Sequence, residues 1–353
     1  MSNVNNHGMN YLEPHNQKRH RIDVRRERQK AAAEAIFKLV RNVVIAGGII
    51  GVGIHFFVVW AFSETPVKTE TLLNQAVLAD ITTEIIRPLG RGDVGFEMQS
   101  EYALLINISN GRILFDHQAD VQTFPASVTK IMTVLVGLEN SDMNEDVTVI
   151  ADFDELWRAQ ASQAGFNPGE VRTMSEILHA IMLPSGAEAT WALANHIAGS
   201  YEDFVAMMNE RARTLGMNDT HFVTATGLHD ESHYTTANDI AILLRYALAI
   251  PAFREIFTTA EYELSRPNAR GSFLQSTLHH FATTLEFEGG EILGGRTGFT
   301  TPAGRCMASL ATDGRSEFIL ITFGIPDPDF TNTSAHVDDA LVIYEYFLDG
   351  IQY

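Results

Sequence analysis

Ser127 and Lys130 stand three residues apart where a helix is predicted to begin. Apolar residues follow at helical spacing, at Ile131, Val134, Leu135 and Leu138. A serine is a favoured helix cap, and a lysine three residues later lies on the same helix face. A neighbouring amine that accepts the hydroxyl proton turns a serine into a nucleophile. On these residues alone, however, a capping serine followed by an exposed lysine is the simpler interpretation.

Two motifs further along the chain favour the catalytic interpretation. Ser185 lies in the turn 183–189 between two predicted helices, so its hydroxyl points from a loop. Arg296 and Thr297 end a predicted strand and are followed by Gly298. A cation and a hydroxyl together suit a carboxylate ligand, and glycine lets the backbone approach a substrate closely.

The order of these motifs points to a family. S-x-x-K, then S-x-N, then K-T-G is the signature of penicillin-binding proteins and serine β-lactamases, and this chain follows it with one substitution in each of the last two motifs. More closely, the chain resembles the D-alanyl-D-alanine carboxypeptidases, the low-molecular-weight penicillin-binding proteins. The resemblance covers about 95–353 and is carried by 126–130, 184–189, 195–200, 215–217, 297–300 and 303–306.

The resemblance implies a serine peptidase that forms an acyl-enzyme. In that mechanism Ser127 is acylated, Lys130 accepts its proton, and Ser185 passes the proton toward the leaving D-alanine. The implied substrate is the D-Ala-D-Ala end of peptidoglycan pentapeptides, and β-lactams are the implied covalent inhibitors. The family needs neither a cofactor nor a metal.

The same resemblance implies how the substrate is held. Arg296 and Thr297 are expected to bind its terminal carboxylate. The backbone N–H groups of Ser127 and Phe299 are expected to form the oxyanion hole, where such donors typically contribute several kcal/mol. The expected substrate-binding residues are therefore Arg296, Thr297, Gly298 and Phe299.

Two positions depart from the family pattern. Ala187 stands where asparagine is usual, and Arg296 stands for lysine. Glu188 could be recruited near the site, but an exposed glutamate at a helix start is the favoured interpretation. Two alternatives stay open: a penicillin-binding sensor or scaffold with little turnover, and a serine β-lactamase. A class A β-lactamase would need an asparagine four residues after its glutamate, whereas Glu155 is followed at that spacing by Ala159.

Other polar clusters are expected to be structural. His229, His233 and Asp239 could suggest a Ser-His-Asp triad, but the family resemblance needs no histidine, so we interpret them as loop residues. The pair His279 and His280 has no partner at metal-ligand spacing.

The pattern of elements predicts an α+β fold of the β-lactamase/transpeptidase type, with an antiparallel sheet flanked by a helical block. Strands at both ends of the domain should complete that sheet. The predicted strands are 102–108, 112–115, 147–151, 291–297, 306–312 and 317–323. One predicted helix starts at 127. The other predicted helices cover 174–183, 187–198, 203–215, 236–249 and 334–348.

Charge is distributed unevenly along the 353 residues, which carry a net charge of −19. Residues 1–62 hold nine Lys/Arg against four Asp/Glu, whereas the rest holds 16 basic and 40 acidic residues. An acidic domain argues against nucleic-acid binding. Cys306 is the only cysteine, so no disulfide forms within the chain, and we expect Cys306 to be buried in a strand.

An apolar run at 43–62 has the length of a membrane-spanning helix, with His55 as its strongly polar member. The basic residues precede it, which predicts a cytoplasmic N-terminus. We therefore expect a basic cytoplasmic tail at 1–41, a transmembrane anchor at 42–62, a stem at 63–95 and an extracytoplasmic carboxypeptidase domain at 96–353.

Overall fold

The computed structural model describes residues 96–348. The predicted tail, anchor and stem lie outside these residues, so their assignment stays a prediction. Within 96–348, no helix combines the length and the apolar character needed to cross a bilayer.

The main sheet is antiparallel and has six strands in the order β2-β1-β10-β9-β8-β7. Two further antiparallel pairs, β3 with β4 and the β5–β6 hairpin, lie outside it. The strands are β1 Tyr102–Asn107, β2 Ile113–His117, β3 Asp146–Thr148, β4 Val171–Thr173, β5 Glu261–Asn268, β6 Gly271–Gln275, β7 Glu286–Phe287, β8 Gly290–Thr300, β9 Gly304–Thr312 and β10 Glu317–Ile325.

The helices lie mostly between β2 and β7 in the chain. They are α1 Lys130–Asn140, α2 Phe153–Arg158, α3 Met174–Met182, α4 Ala187–Ala198, α5 Tyr201–Leu215, α6 Ala237–Leu248, α7 Pro251–Thr258, α8 Thr277–Phe281 and α9 Ala335–Leu348. A 3-10 turn, Ala126–Thr129, leads directly into α1.

The sheet separates two apolar cores, because alternate residues of a strand face opposite sides. On one face, Leu104, Ala308 and Ile319 pack against the helical block. On the other face, their neighbours in the strands pack against α9 around Tyr344. Helix α1 runs through the helical block, and every residue from 130 to 137 is buried. Burying one large aliphatic side chain of α1 stabilises the fold by about 1.5–3 kcal/mol. The packing of α1 therefore fixes the position of Lys130 at its start.

The predicted α+β class and the β-lactamase/transpeptidase-like architecture agree with this fold. The hairpin 102–115, the three C-terminal strands and the closing helix occur close to their expected bounds. Helix α5 ends at Gly216 in the left-handed conformation (φ 82°), as the sequence predicts. The sequence patterns did not predict α2, α7, α8, β4, β7 or the β5–β6 hairpin, whose segments are short or exposed.

Candidate active site

The nucleophile turn is the 3-10 segment 126–129, and it departs from the predicted helix cap. Ser127 lies inside the turn, and neither the turn nor α1 has a side-chain cap. Ala126 adopts a left-handed conformation with φ 46°, which is costly for a residue other than glycine. Ser127 is half-buried and borders a cavity of about 450 Å³. The turn therefore presents the hydroxyl to the cavity and does not use it as a cap.

Lys130 begins α1 directly beneath Ser127. Its Nζ lies 3.3 Å from Ser127 Oγ and donates a hydrogen bond to the carbonyl of Thr226. The side chain is 2% exposed. Burial, assisted by the nearby Arg296 cation and opposed by Glu188, holds the pKa of Lys130 well below its usual value. Lys130 therefore holds its neutral, proton-accepting form at lower pH than an exposed lysine does.

Ser185 reaches the nucleophile from the loop between α3 and α4. Its Oγ lies 3.1 Å from Ser127 Oγ. Ser185 has a positive φ of 67°, so the loop holds it in a strained conformation that aims its hydroxyl at the site. Lys130 and Ser185 therefore contact Ser127 together, as the motifs predict.

Arg296 lies on β8 with 0% of its surface exposed. Its Nε donates to the Ser127 carbonyl at 3.0 Å and its Nη1 to the Met182 carbonyl at 2.9 Å, while Nη2 donates to Ser185 Oγ. Burial lowers the pKa of Arg296 to about 9, which still leaves a cation at neutral pH. This cation therefore donates hydrogen bonds to both serines, and the carboxylate contact expected of it stays a prediction.

Strand β8 passes close to the nucleophile turn at Gly298. A side-chain carbon at this position would lie 2.8 Å from the Ser127 nitrogen and 3.2 Å from the Val128 nitrogen. The glycine is thus required by the approach of the strand to the turn, in addition to any approach of substrate. This approach brings Phe299, the next residue, to the wall of the Ser127 cavity.

Thr297 is 5% exposed and donates to Thr277 Oγ1 at 2.8 Å.

The Ser127 cavity also includes residues that the sequence did not single out, and three of them bear on the geometry of the site. Thr226 supplies only its carbonyl, for which no sequence pattern exists. Gly227 packs so tightly that a side-chain carbon would lie 1.9 Å from the Ala126 carbonyl oxygen. Phe330 is 59% exposed at the cavity mouth and packs edge-to-face on Phe299. Of the three, only the glycine could have been singled out from the sequence, as a residue free to adopt positive φ.

Glu188 differs from its expected exposed position. The side chain is 0% exposed, and its Oε1 accepts hydrogen bonds from the N–H groups of Gly165 and Phe166 at 2.7 and 3.1 Å. Burial raises the pKa of this carboxyl. Sequence position suggested helix-dipole stabilisation, but the packing of the 159–166 loop over α4 encloses the residue. Ala187, beside it, borders the Ser127 cavity.

The other polar candidates lie outside the catalytic contacts. Asp239 is buried and accepts hydrogen bonds from the Asp219 N–H and from Thr220 Oγ1. Glu155 does not border the Ser127 cavity. Cys306 is buried in β9, and burial raises its pKa to about 12. No cluster of three or more potential metal ligands occurs among residues 96–348.

The histidines do not form a triad with Ser127 in the described part of the chain. His229 is exposed and packs edge-to-face on Phe124. His233 is buried and contacts Thr129. The site therefore combines a serine, a lysine of depressed pKa, a second serine and a buried cation. This set of groups suits acyl transfer through a covalent serine intermediate.

Several named proteins are similar to this chain in sequence. D-alanyl-D-alanine carboxypeptidase DacF of Bacillus subtilis is 32% identical over 238 residues, which are 66% of this chain and 59% of DacF. The chain thus spans less than two thirds of that relative. A D-alanyl-D-alanine carboxypeptidase of Streptomyces strain K15 is 28% identical over 292 residues, or 80% of this chain and 96% of the relative.

Solved structures agree with the sequence relatives. The Streptomyces K15 DD-transpeptidase superposes with a TM-score of 0.63 at 26% identity, covering 71% of this chain and 97% of that one. The D-alanyl-D-alanine carboxypeptidase of Mycobacterium tuberculosis H37Rv gives a TM-score of 0.58 at 25% identity, covering 70% and 92%. The family model described as D-alanyl-D-alanine carboxypeptidase, peptidase family S11, matches residues 91–327. This chain belongs to the D-alanyl-D-alanine carboxypeptidase family.

Proposed function

We propose that this protein is a serine D-Ala-D-Ala carboxypeptidase that removes the terminal D-alanine from peptidoglycan stem peptides. The observation that carries the proposal is the contact of Ser127 Oγ with both Lys130 Nζ at 3.3 Å and Ser185 Oγ at 3.1 Å. Membership of the family supports the same reaction. The substrate class is supported by the sequence relatives, which are D-alanyl-D-alanine carboxypeptidases.

Acylation begins with transfer of the Ser127 proton to the neutral Lys130 amine. Ser127 Oγ attacks the carbonyl carbon of the penultimate D-alanine, and the amide C–N bond to the terminal D-alanine breaks. Ser185 relays a proton to the leaving amine. Water then cleaves the ester, which releases the shortened peptide and restores the Ser127 hydroxyl.

The backbone of β8 and of the nucleophile turn stabilises the oxyanion. The N–H groups of Ser127 and Phe299 are the proposed donors, and the close approach of Gly298 to the Ser127 nitrogen supports this pairing. Donors fixed by a strand and a buried turn need no reorganisation during the reaction. A β-lactam carbonyl would use the same donors and would acylate the same serine.

The terminal carboxylate of the substrate is bound through Thr297 and the positive charge of Arg296. Because the guanidinium is buried and already donates to Ser127 and Ser185, it acts on the carboxylate mainly as a fixed charge. A fixed cation beneath the site also favours the neutral form of Lys130.

The first experiment follows D-alanine release from a pentapeptide ending in D-Ala-D-Ala, with purified full-length protein in detergent. Wild type should release D-alanine and form a covalent penicillin adduct on Ser127, whereas Ser127→Ala should do neither at unchanged melting temperature. Penicillin labelling without D-alanine release would instead support the sensor alternative. An adduct that persists in Ser127→Ala would place the nucleophile elsewhere.

We also propose that 42–62 anchors the protein in the cell membrane, with the catalytic domain outside. The apolar run 43–62 and its preceding basic residues support this orientation. Full-length protein should stay with membranes after a high-salt wash, and a variant lacking 1–62 should be released. Salt would detach a purely electrostatic attachment by 18–41, so release of the full-length protein by salt would exclude a spanning anchor.

A further inference from the structure

The segment 221–235 runs behind the nucleophile turn and holds it at several points. The Thr226 carbonyl accepts a hydrogen bond from Lys130 Nζ, and the Ala225 carbonyl accepts one from Thr133 Oγ1 at 2.7 Å. Gly227 packs against the Ala126 carbonyl. The position of this segment therefore decides where the Lys130 amine is held.

His233 is the buried side chain that joins this segment to the turn. It is 2% exposed, and its Nδ1 accepts hydrogen bonds from the N–H groups of Val223 at 2.9 Å and Thr224 at 3.3 Å. A ring nitrogen that accepts from N–H donors carries no proton. The proton of the neutral ring is thus on Nε2.

The Nε2–H group points to the turn. It lies 2.8 Å from Thr129 Oγ1 and donates to it, while the Thr129 hydroxyl donates to the Ala126 carbonyl at 2.8 Å. Ala126 is the residue with the costly φ of 46° next to Ser127. A directed chain of hydrogen bonds therefore runs from the backbone at 223–224 through His233 and Thr129 to the residue that sets the conformation of Ser127.

We propose that His233 is a positioning residue. Its neutral ring, with the proton on Nε2, fixes the Ser127 turn relative to the segment 221–235, which orients Lys130. It touches neither the Ser127 hydroxyl nor the Lys130 amine. It acts through Thr129 on one side and through the backbone of Val223 and Thr224 on the other. The inference rests on the proposed acylation of Ser127.

Burial keeps the His233 ring neutral. Burial is the main cause that lowers the pKa of His233 to about 4; Asp230 opposes this, while His221, His229 and Lys130 add to it. Protonation would place a hydrogen on Nδ1 against two N–H donors. The hydrogen bonds of the neutral His233 ring are therefore kept at neutral and alkaline pH.

Two amide substitutions at His233 test its two sets of hydrogen bonds separately. In His233→Asn the amide oxygen can take the place of Nδ1, but the reach to Thr129 is lost. In His233→Gln the amide nitrogen can still donate to Thr129, but the acceptor for Val223 and Thr224 is lost. Thr129→Val removes the same link as His233→Asn with almost no change in volume, and Thr129→Ser retains the hydroxyl.

The measurement is the rate of acylation by a fluorescent penicillin, together with kcat and KM for D-alanine release, per active site titrated by the label. His233→Asn and Thr129→Val should each lower kcat and acylation by about tenfold to a hundredfold, the range expected for a misplaced catalytic group, with KM almost unchanged. The double variant should be little slower than either single one, because both break one chain of contacts. Thr129→Ser should recover most of the rate, and His280→Asn, which changes an exposed histidine outside the segment 221–235, is the matched control.

The outcomes distinguish the two proposals. A wild type that penicillin does not acylate would overturn the proposed function and this inference with it. If the wild type is acylated and the His233→Asn and Thr129→Val variants have wild-type rates per titrated site, the inference alone is overturned. Fully multiplicative losses of rate in the double variant would also overturn it. If His233→Asn does not fold, Thr129→Val decides the question.

Discussion

Replacing the Arg296 cation with a neutral side chain should move the acidic limb of activity to higher pH. Acylation needs the neutral form of Lys130, whose pKa is lowered first by burial and second by Arg296. In Arg296→Met the second cause is gone, so the pKa of Lys130 rises. At a given pH on the acidic side, a smaller fraction of the enzyme then holds the free amine.

The structure sets the size of this effect. Arg296 donates to Ser185 Oγ, which lies 3.1 Å from Ser127 Oγ, which lies 3.3 Å from Lys130 Nζ. The two cations are therefore within about 9 Å, where Coulomb's law with an effective dielectric constant of about 20 gives about 1.8 kcal/mol. This energy corresponds to an approximately twentyfold loss of kcat/KM on the acidic side. Both groups are buried, so salt should screen little of it.

The assay is kcat/KM for D-alanine release across the pH range in which circular dichroism shows an intact fold. Arg296→Met also removes a donor to Ser185, which should lower the rate at every pH. The ratio of the rates at low and high pH therefore isolates the electrostatic part. Arg296→Lys keeps the charge and is the matched control, with an acidic limb close to that of wild type. An unshifted limb in Arg296→Met, or an equal shift in Arg296→Lys, would refute the reasoning.

Two further substitutions test other parts of the site. Lys130→Arg stays protonated and should lower acylation by about 10² to 10⁴, the usual contribution of a general base; turnover near the wild-type rate would remove Lys130 from that role. Gly298→Ala should lower acylation by about a hundredfold and stability by about 1–3 kcal/mol, because the new carbon would lie 2.8 Å from the Ser127 nitrogen. Gly295→Ala, whose nearest contacts would be 3.2 Å, is its control, and equal losses in thermal melts and acylation rates would contradict the special role of position 298.

The fold class was predictable because local signals and apolar patterns agree. Strand β10 faces both cores and consists of a nearly continuous apolar run, and β9 is rich in small apolar residues, so both have clear strand signals. Strand β8 is less apolar, because glycines, Arg296 and Thr297 interrupt it. Helices α7 and α8 could not be predicted in the same way, because each is short and is held by packing against its neighbours. The order of strands in the sheet depends on contacts between distant segments, which periodicity does not report.

The site was predictable in its residue types but less so in its local geometry. The spacing of Ser127 and Lys130 correctly placed their side chains together. The same spacing suggested a capping serine, whereas the 3-10 turn depends on the strained Ala126 and on contacts from the segment 221–235. Glu188 was mispredicted for a similar reason, since its burial is caused by a loop that is distant in sequence.

The two departures from the family pattern leave the proposed proton path intact. Ala187 has no side chain that could form a hydrogen bond with Lys130, but Lys130 still donates to the Thr226 carbonyl and still contacts Ser127. Arg296 has a wider donor fork than lysine, and it uses that fork to bind the Ser127 carbonyl, the Met182 carbonyl and Ser185 at once. The contacts that the proposed proton transfers need, between Ser127 and Lys130 and between Ser127 and Ser185, are therefore present although the asparagine is absent. The substitutions should accordingly change rate and substrate preference, while the class of reaction stays that of the family.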